Sequence, residues 1–173
     1  KLRSINSYYL KSFDTEKLLD LIFSNLEDHE RDLLSSKQKE HLLSILKKLK
    51  INAKSLDDLI KNVLLFLIER PITVSSDLEV PLSSDSLSHL TAIVDVFKNE
   101  VTWTNSKIEL ALHKYFELSG STMRELGPIL RAALIGVKAS PNIIDVMNFI
   151  GKSETICRLQ DCILKYSDSN ELI

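Results

Sequence analysis

Glycine and proline are what end helices and turn chains, and this chain of 173 residues contains four of each. A sheet architecture asks for a turn roughly every 8–12 residues, so eight such residues cannot serve one. Apolar residues make up 44% of the chain and aromatics only 6%, which suits helices packed through leucine and isoleucine. The expected fold class is therefore all-α. Three of the glycines and two of the prolines crowd into one stretch, Gly127 to Gly151, GPILRAALIGVKASPNIIDVMNFIG. Pro128 fits the first turn of a helix, where a missing N–H costs nothing. Gly136 fits the left-handed residue that ends it. Ser140 then reads as an N-cap with Pro141 at the first helical position, and Gly151 closes the second helix. Ile143, Val146, Met147 and Ile150 recur as one buried face. The expected product is a tight helical corner joined by Val137, Lys138 and Ala139.

Such a corner can bind an anion or a base. A helix N-terminus at Ser140 would offer unpaired backbone N–H groups, and Arg131 carries a planar guanidinium that suits a phosphate or a base edge. The plainer reading is an ordinary corner with a solvated arginine, since most charged helix positions simply face water.

The rest of the chain reads as helices too. The spacing predicts one over Lys1 to Leu10 with Leu2, Ile5, Tyr9 and Tyr8 on its apolar face. A second follows, capped at Asp14 or Thr15 and running to Leu26, with Leu18, Leu19 and Ile22 inward. The acidic run Glu27 to Asp32 is expected to be a solvated loop. A helix from Ser35 or Ser36 turns Leu42, Leu46 and Leu49 inward and His41, Lys47 and Lys48 outward. Ser55-Leu56-Asp57-Asp58 has the form of a capped helix start, and that helix should end near Glu69, before Pro71. Residues 71–84, bracketed by Pro71 and Pro81, read as a linker between subdomains 1–70 and 85–173. Ser84 or Asp85 is expected to cap a helix to about Asn99 with Leu87, Leu90, Ile93, Val94 and Phe97 inward. Thr104 caps the next, which carries Ile108, Leu112 and Tyr115 or Phe116 and which Gly120 should stop. Ser153 is expected to cap a last helix bearing Ile156, Leu159, Ile163 and Leu164, frayed from Ser167 onward.

Composition narrows the function classes. Lysine and arginine number 22 against 24 aspartates and glutamates, so any nucleic-acid contact must come from a local patch. No apolar run is long enough to cross a bilayer; the longest, Val63 to Ile68, has core-helix length. No signal peptide is seen, and the missing first methionine fits a fragment. Cys157 and Cys162 point in different directions on a helix, which favours reduced cytosolic thiols and a cytoplasmic location. His29, His41, His89 and His113 are scattered without ligand spacing, and neither a P-loop nor a dinucleotide fingerprint occurs. No catalytic residue and no metal site can be assembled. The best electrostatic candidate is the cluster Lys47, Lys48, Lys50 and Lys54, where phosphate contacts would be salt-sensitive and independent of sequence.

Three segments carry a family resemblance. The string LRAALIG, then Ser140-Pro141, then FIGK and Arg158-Leu159, resembles the C-terminal anticodon-binding domain of bacterial-type glutamyl-tRNA synthetases, whose usual form is PLRxALTG, S/T-P, LGK and RL. KLRSINSYYLKSFDTEKL is similar to the segment that follows the KMSKS loop in those enzymes, and KSLDDLIKNVLLFLIE to the family's TLxDL helix. The three are co-linear and cover the chain. The resemblance implies a two-part helical anticodon-binding region and tRNA(Glu) as partner, with tRNA(Gln) as an alternative. It implies a monomer, and it puts ATP and Mg²⁺, with the HIGH and KMSKS signatures, in a catalytic domain upstream. It implies that Arg131 lies near the first anticodon base, and that Ser140, Pro141, Ile143 and Ile144 form the turn holding the splayed bases. Lys50 and Lys54 would lie beside the anticodon. Asn52 falls near a position where some members use an arginine to reject the third base of glutamine anticodons.

The chain departs from the pattern in three places. Pro128 stands one residue early with Ile129 inserted, Ile135 replaces the usual threonine, and Asn52 has no guanidinium. Strict rejection of tRNA(Gln) is therefore open. The reading from a different class is a helical protein–protein scaffold with no affinity for RNA.

Overall fold

The computed structural model describes residues 7–35, 39–75, 82–137 and 141–170. Among the described residues the regular structure is helical: α1 Ser7–Ser12, α2 Thr15–Asn25, α3 Asp28–Ser35, α4 Lys39–Asn52, α5 Leu56–Leu67, α6 Ser84–Asn99, α7 Asn105–Ser119, α8 Met123–Ile135, α9 Ile143–Ile150 and α10 Lys152–Asn170. The all-α class holds. The chain forms two compact units, Lys1–Ile68 and Glu69–Ile173. None of the described helices is long and apolar enough to cross a membrane.

In the first unit α4 packs on α1, α2 and α5, while α3 leans on α5. Leu10, Leu18, Ile22, Leu34, Leu56 and Leu59 are wholly buried. Two helix starts are written in the sequence as expected. Asp14 Oδ1 accepts the N–H groups of Glu16 and Lys17 at 3.1 and 3.0 Å, and Ser55 Oγ accepts that of Asp58. Two expectations fail here. On α1, Leu10 is the buried residue and Tyr8 and Tyr9 stand 75% and 62% exposed; Leu2 and Ile5 lie outside the described residues. The acidic run is not a loop but most of α3. Asp28 and Glu30 fill its first turn, where the helix dipole favours negative charge. Glu30 reaches back to the Glu27 N–H at 2.9 Å, Arg31 Nε donates to the Phe23 carbonyl at 3.0 Å, and Leu34 anchors the helix in the core. A single buried leucine leaves too little periodicity to read.

In the second unit α10 runs along α6 and also touches α8 and α9, and α7 packs on α6 and α9. Leu90, Ile93, Phe97, Ile108, Leu112, Leu130 and Leu134 make its core. Trp103, from the segment before α7, packs edge-on to Phe97 with ring centroids 5.1 Å apart. Its Nε1 donates to the Met147 carbonyl at 2.9 Å, which fixes the last turn of α9. Residues Pro71 to Ser75, inside the stretch read as a linker, lie against α8: the Ser75 N–H donates to the Gly136 carbonyl at 2.9 Å.

Candidate nucleic-acid interface

The corner is built differently from its sequence reading. Helix α8 does not start at Pro128. Thr122 and Glu125 form a full capping box, Glu125 N–H to Thr122 Oγ1 and Thr122 N–H to Glu125 Oε2, so the helix begins at Met123. Pro128 therefore sits inside the helix and can donate nothing to the Arg124 carbonyl four residues back. Gly136 ends α8 as expected, with φ 70° and ψ 8°. The start of α9 also moves. Its N-cap is Asn142, whose Oδ1 accepts the Ile144 N–H at 2.9 Å, which leaves Pro141 ahead of the cap rather than at the first helical position. Asparagine caps a helix as well as serine does, and in sequence Ser140 is the expected cap because Pro141 follows it. Ser140, with Lys138 and Ala139, lies outside the described residues. Gly151 closes α9, and α10 follows at once from Lys152, which puts Ser153 inside the helix instead of at its cap.

Two side chains of α10 hold the corner from behind. Thr155 Oγ1 donates to the carbonyls of Gly151 and Met147 at 2.8 and 3.3 Å. Arg158 is only 3% exposed; its Nη1 donates to the Leu134 carbonyl at 2.8 Å and its Nε to Glu154 at 2.8 Å. The buried stripe of α10 is thus Thr155, Arg158, Leu159 and Cys162, and Leu164 is 66% exposed. An arginine satisfying one of the last carbonyls of a helix supplies both a hydrogen bond and a charge favoured by the dipole. Arg158, part of the RL string at the chain end, is a buttress of α8.

In front of the corner opens a cavity of about 510 Å³. Arg131 and Met123 line it from α8, and Asn142, Ile143 and Ile144 line it from the start of α9. The third wall is α7, through Glu109, Leu112, His113 and Phe116. Three of the residues singled out in sequence, Arg131, Ile143 and Ile144, are brought together here. Ile143 is 2% and Ile144 9% exposed, so they form its floor rather than projecting from it. Asn105 and Asp145 pair between the first turns of α7 and α9, which ties that wall to the floor. The walls combine flat or branched apolar surface with a guanidinium, a carboxylate, an imidazole and an amide. That set suits a planar heteroaromatic ring with a polar edge, the form of an unstacked nucleobase. Sequence reasoning missed the α7 wall. Its signal was the spacing 109, 112, 113 and 116, one helix face on which polar and apolar residues mix.

Lys50, Asn52 and Lys54 belong to the first unit. Lys50 Nζ donates to the Phe13 carbonyl at 2.7 Å and to Thr15 Oγ1 at 3.2 Å, bracing the turn between α1 and α2. Asn52 ends α4 with its side chain exposed, and Lys54 is exposed while its backbone N–H donates to Asp58. Lys47, Lys48 and Ile51 are exposed beside them on α4. His89 bonds Tyr115 through Nδ1 at 2.6 Å and has no part in the cavity. Among the described residues no His, Cys, Asp and Glu gather as a metal site would need.

What the fold and its cavity define is an all-helical binding domain. Residues 15–163 match the anticodon binding domain family. Glutamate–tRNA ligase 2 of Zymomonas mobilis is 33% identical over 161 residues, covering 93% of this chain and 34% of that protein. Glutamate–tRNA ligase 1 of Beijerinckia indica is 30% identical over 166 residues, 93% of this chain and 35% of its own length. Among solved structures, a glutamate tRNA ligase from Elizabethkingia meningosepticum, crystallised with its amino acid, has the same fold at TM-score 0.74 and 21% identity, covering 92% of this chain and 31% of that one. The chain belongs to the anticodon-binding-domain family. It spans about one third of the length of the curated relatives it matches.

Proposed function

We propose that this chain is the tRNA anticodon-binding region of a glutamate–tRNA ligase acting in the cytoplasm as a monomer. The observation that carries the reading is the cavity in which Arg131, Ile143 and Ile144 meet beneath the α7 wall. Arg131 donates to a base edge, Ile143 and Ile144 give the apolar floor, and Ser140 and Pro141 contact the backbone of the anticodon loop. The exposed lysines around Lys54 hold phosphates without reading sequence. Activation of glutamate with ATP and Mg²⁺ and its transfer to tRNA(Glu) are assigned to a catalytic part outside these residues. The test is mobility shift of tRNA(Glu) by this chain across a salt series, with Arg131→Ala beside the wild type. Binding should weaken steeply as salt rises, and Arg131→Ala should cost about 1–3 kcal/mol, the worth of a base-edge fork. No binding at low ionic strength would favour the protein–protein scaffold.

Asn52 extends the proposed partner set to tRNA(Gln). A guanidinium near the third anticodon base favours the acceptor edge of cytosine, the glutamate identity. Asparagine is neutral, with a donor and an acceptor on one amide, and accommodates cytosine or guanine. The intact enzyme should therefore glutamylate tRNA(Gln) measurably, and Asn52→Arg should reduce that activity selectively. Equal losses on both tRNAs would remove Asn52 from the site.

A further inference from the structure

Arg131 reaches the cavity by lying along its own helix. Side chains in a helix lean back over the preceding turn, and four residues before Arg131 stands Gly127. A Cβ at position 127 would lie 3.0 Å from Arg131 Nη1 and 3.5 Å from Met123 Sδ. Gly127 is buried within α8 and has no positive φ, so no left-handed conformation calls for a glycine there. Alanine is the better helix former at such a position. The space above Gly127 is instead taken by the tip of the arginine that lines the cavity. We propose that Gly127 is a positioning residue, its missing side chain forming the seat that holds the Arg131 guanidinium against α8 where it meets the bound base. The inference rests on the reading of Arg131 as the group that contacts the anticodon.

A flexible side chain yields easily. Adding a methyl group at 127 pushes the Arg131 tip aside instead of unfolding the helix, and the loss falls on recognition. A rival reason for the glycine lies next to it in the chain. The residue before a proline is crowded by the proline ring, and its Cβ adds to the clash, so Gly127 also eases Pro128 into the helix. That effect acts on the helix whether or not Arg131 is present, and this difference separates the two.

The experiment is a double-mutant cycle on the whole chain. Binding of a fluorescent hairpin carrying a glutamate anticodon loop is titrated for wild type, Gly127→Ala, Arg131→Ala and the double variant, with thermal unfolding of each. Arg131→Ala is expected to weaken binding roughly tenfold, within the span of a single base-edge contact. Gly127→Ala should weaken it several-fold, and in the Arg131→Ala background it should do nothing further, because contacting residues are not additive. The same pattern should appear when all four carry Pro128→Ala, which removes the crowding ahead of the proline and keeps the test valid if Gly127→Ala alone unfolds. Wild-type binding by Gly127→Ala, with Arg131→Ala weakened, overturns the positioning role and leaves the Arg131 reading standing. An equal loss with and without Arg131 also overturns it, by tracing the effect to the helix. Unchanged binding by Arg131→Ala overturns the function assigned to the arginine, and the role of Gly127 with it.

Discussion

Two glycines with the same backbone conformation make a controlled experiment within one chain. Gly120 ends α7 at φ 71° and ψ 6°, and Gly136 ends α8 at φ 70° and ψ 8°. A Cβ on Gly120 would meet nothing within 4 Å, whereas one on Gly136 would stand 2.2 Å from the Thr73 carbonyl oxygen. Alanine at either site pays for a left-handed conformation, about 1–2 kcal/mol. At Gly136 the segment through Thr73 must also retreat by more than an ångström to reach ordinary contact. That movement breaks the hydrogen bond from the Ser75 N–H to the Gly136 carbonyl, worth about 1 kcal/mol, and disturbs the packing of Ile72 and Val74 near Ala132 and Ala133. Gly120→Ala should therefore cost about 1–2 kcal/mol and Gly136→Ala about 3 kcal/mol, the same strain with the lost hydrogen bond and packing added. In a chain of this size the second corresponds to roughly 6–12 °C in Tm. Urea unfolding followed by circular dichroism measures both. Equal destabilisation by the two substitutions would refute the close approach of residues 73–75 as the reason position 136 is glycine.

Lys50 and Lys54 should behave oppositely: Lys50→Ala lowers stability by about 1 kcal/mol through its lost acceptors, while Lys54→Ala leaves Tm unchanged and lowers tRNA affinity at low salt. Circular dichroism and mobility shift on both variants check this, and a stable Lys50→Ala would remove the bracing role. Backbone N–H donation, chiefly from Lys17, holds the Asp14 carboxyl below its ordinary value. Its contribution is thus complete above the unfolded pKa and lost as pH falls through the folded one; Asp14→Asn, an equally good cap, should flatten the dependence of Tm on acid pH in that window. Burial pushes the Cys162 thiol up to about 11, so at mildly alkaline pH iodoacetamide should label the half-buried Cys157 first, as peptide mass spectrometry would show.

Much of the fold was legible because it is encoded over a few residues. The stripes Leu87, Leu90, Ile93, Val94 and Phe97 or Leu18, Leu19 and Ile22 repeat at the pitch of a helix and are buried as a set. The caps at Asp14 and Ser55 and the stops at Gly120 and Gly136 each depend on one side chain, or its absence, beside three or four backbone groups. The capping box at Thr122 and Glu125 is equally local, but Pro128 offers a competing start further on. The cap at Asn142 was not legible, since serine and asparagine are equally good N-cap residue types.

What only the tertiary structure decided is what faces what. Arg131 stands out in sequence through the LRAALIG string and not through what it faces, and Glu109, His113 and Phe116 look like parts of a mixed face. Packing of α7 on α9 and of α8 on α9 turns these separate faces toward one space. Arg158 is in sequence only one half of the RL string, and it becomes a buttress because α10 lies against α8 and carries its guanidinium to the Leu134 carbonyl. Helix period and capping are settled by groups within about one turn, so they are fixed by the neighbouring residues in the chain. A cavity wall is settled by which helices approach one another, and that depends on the volumes of side chains drawn from the whole unit.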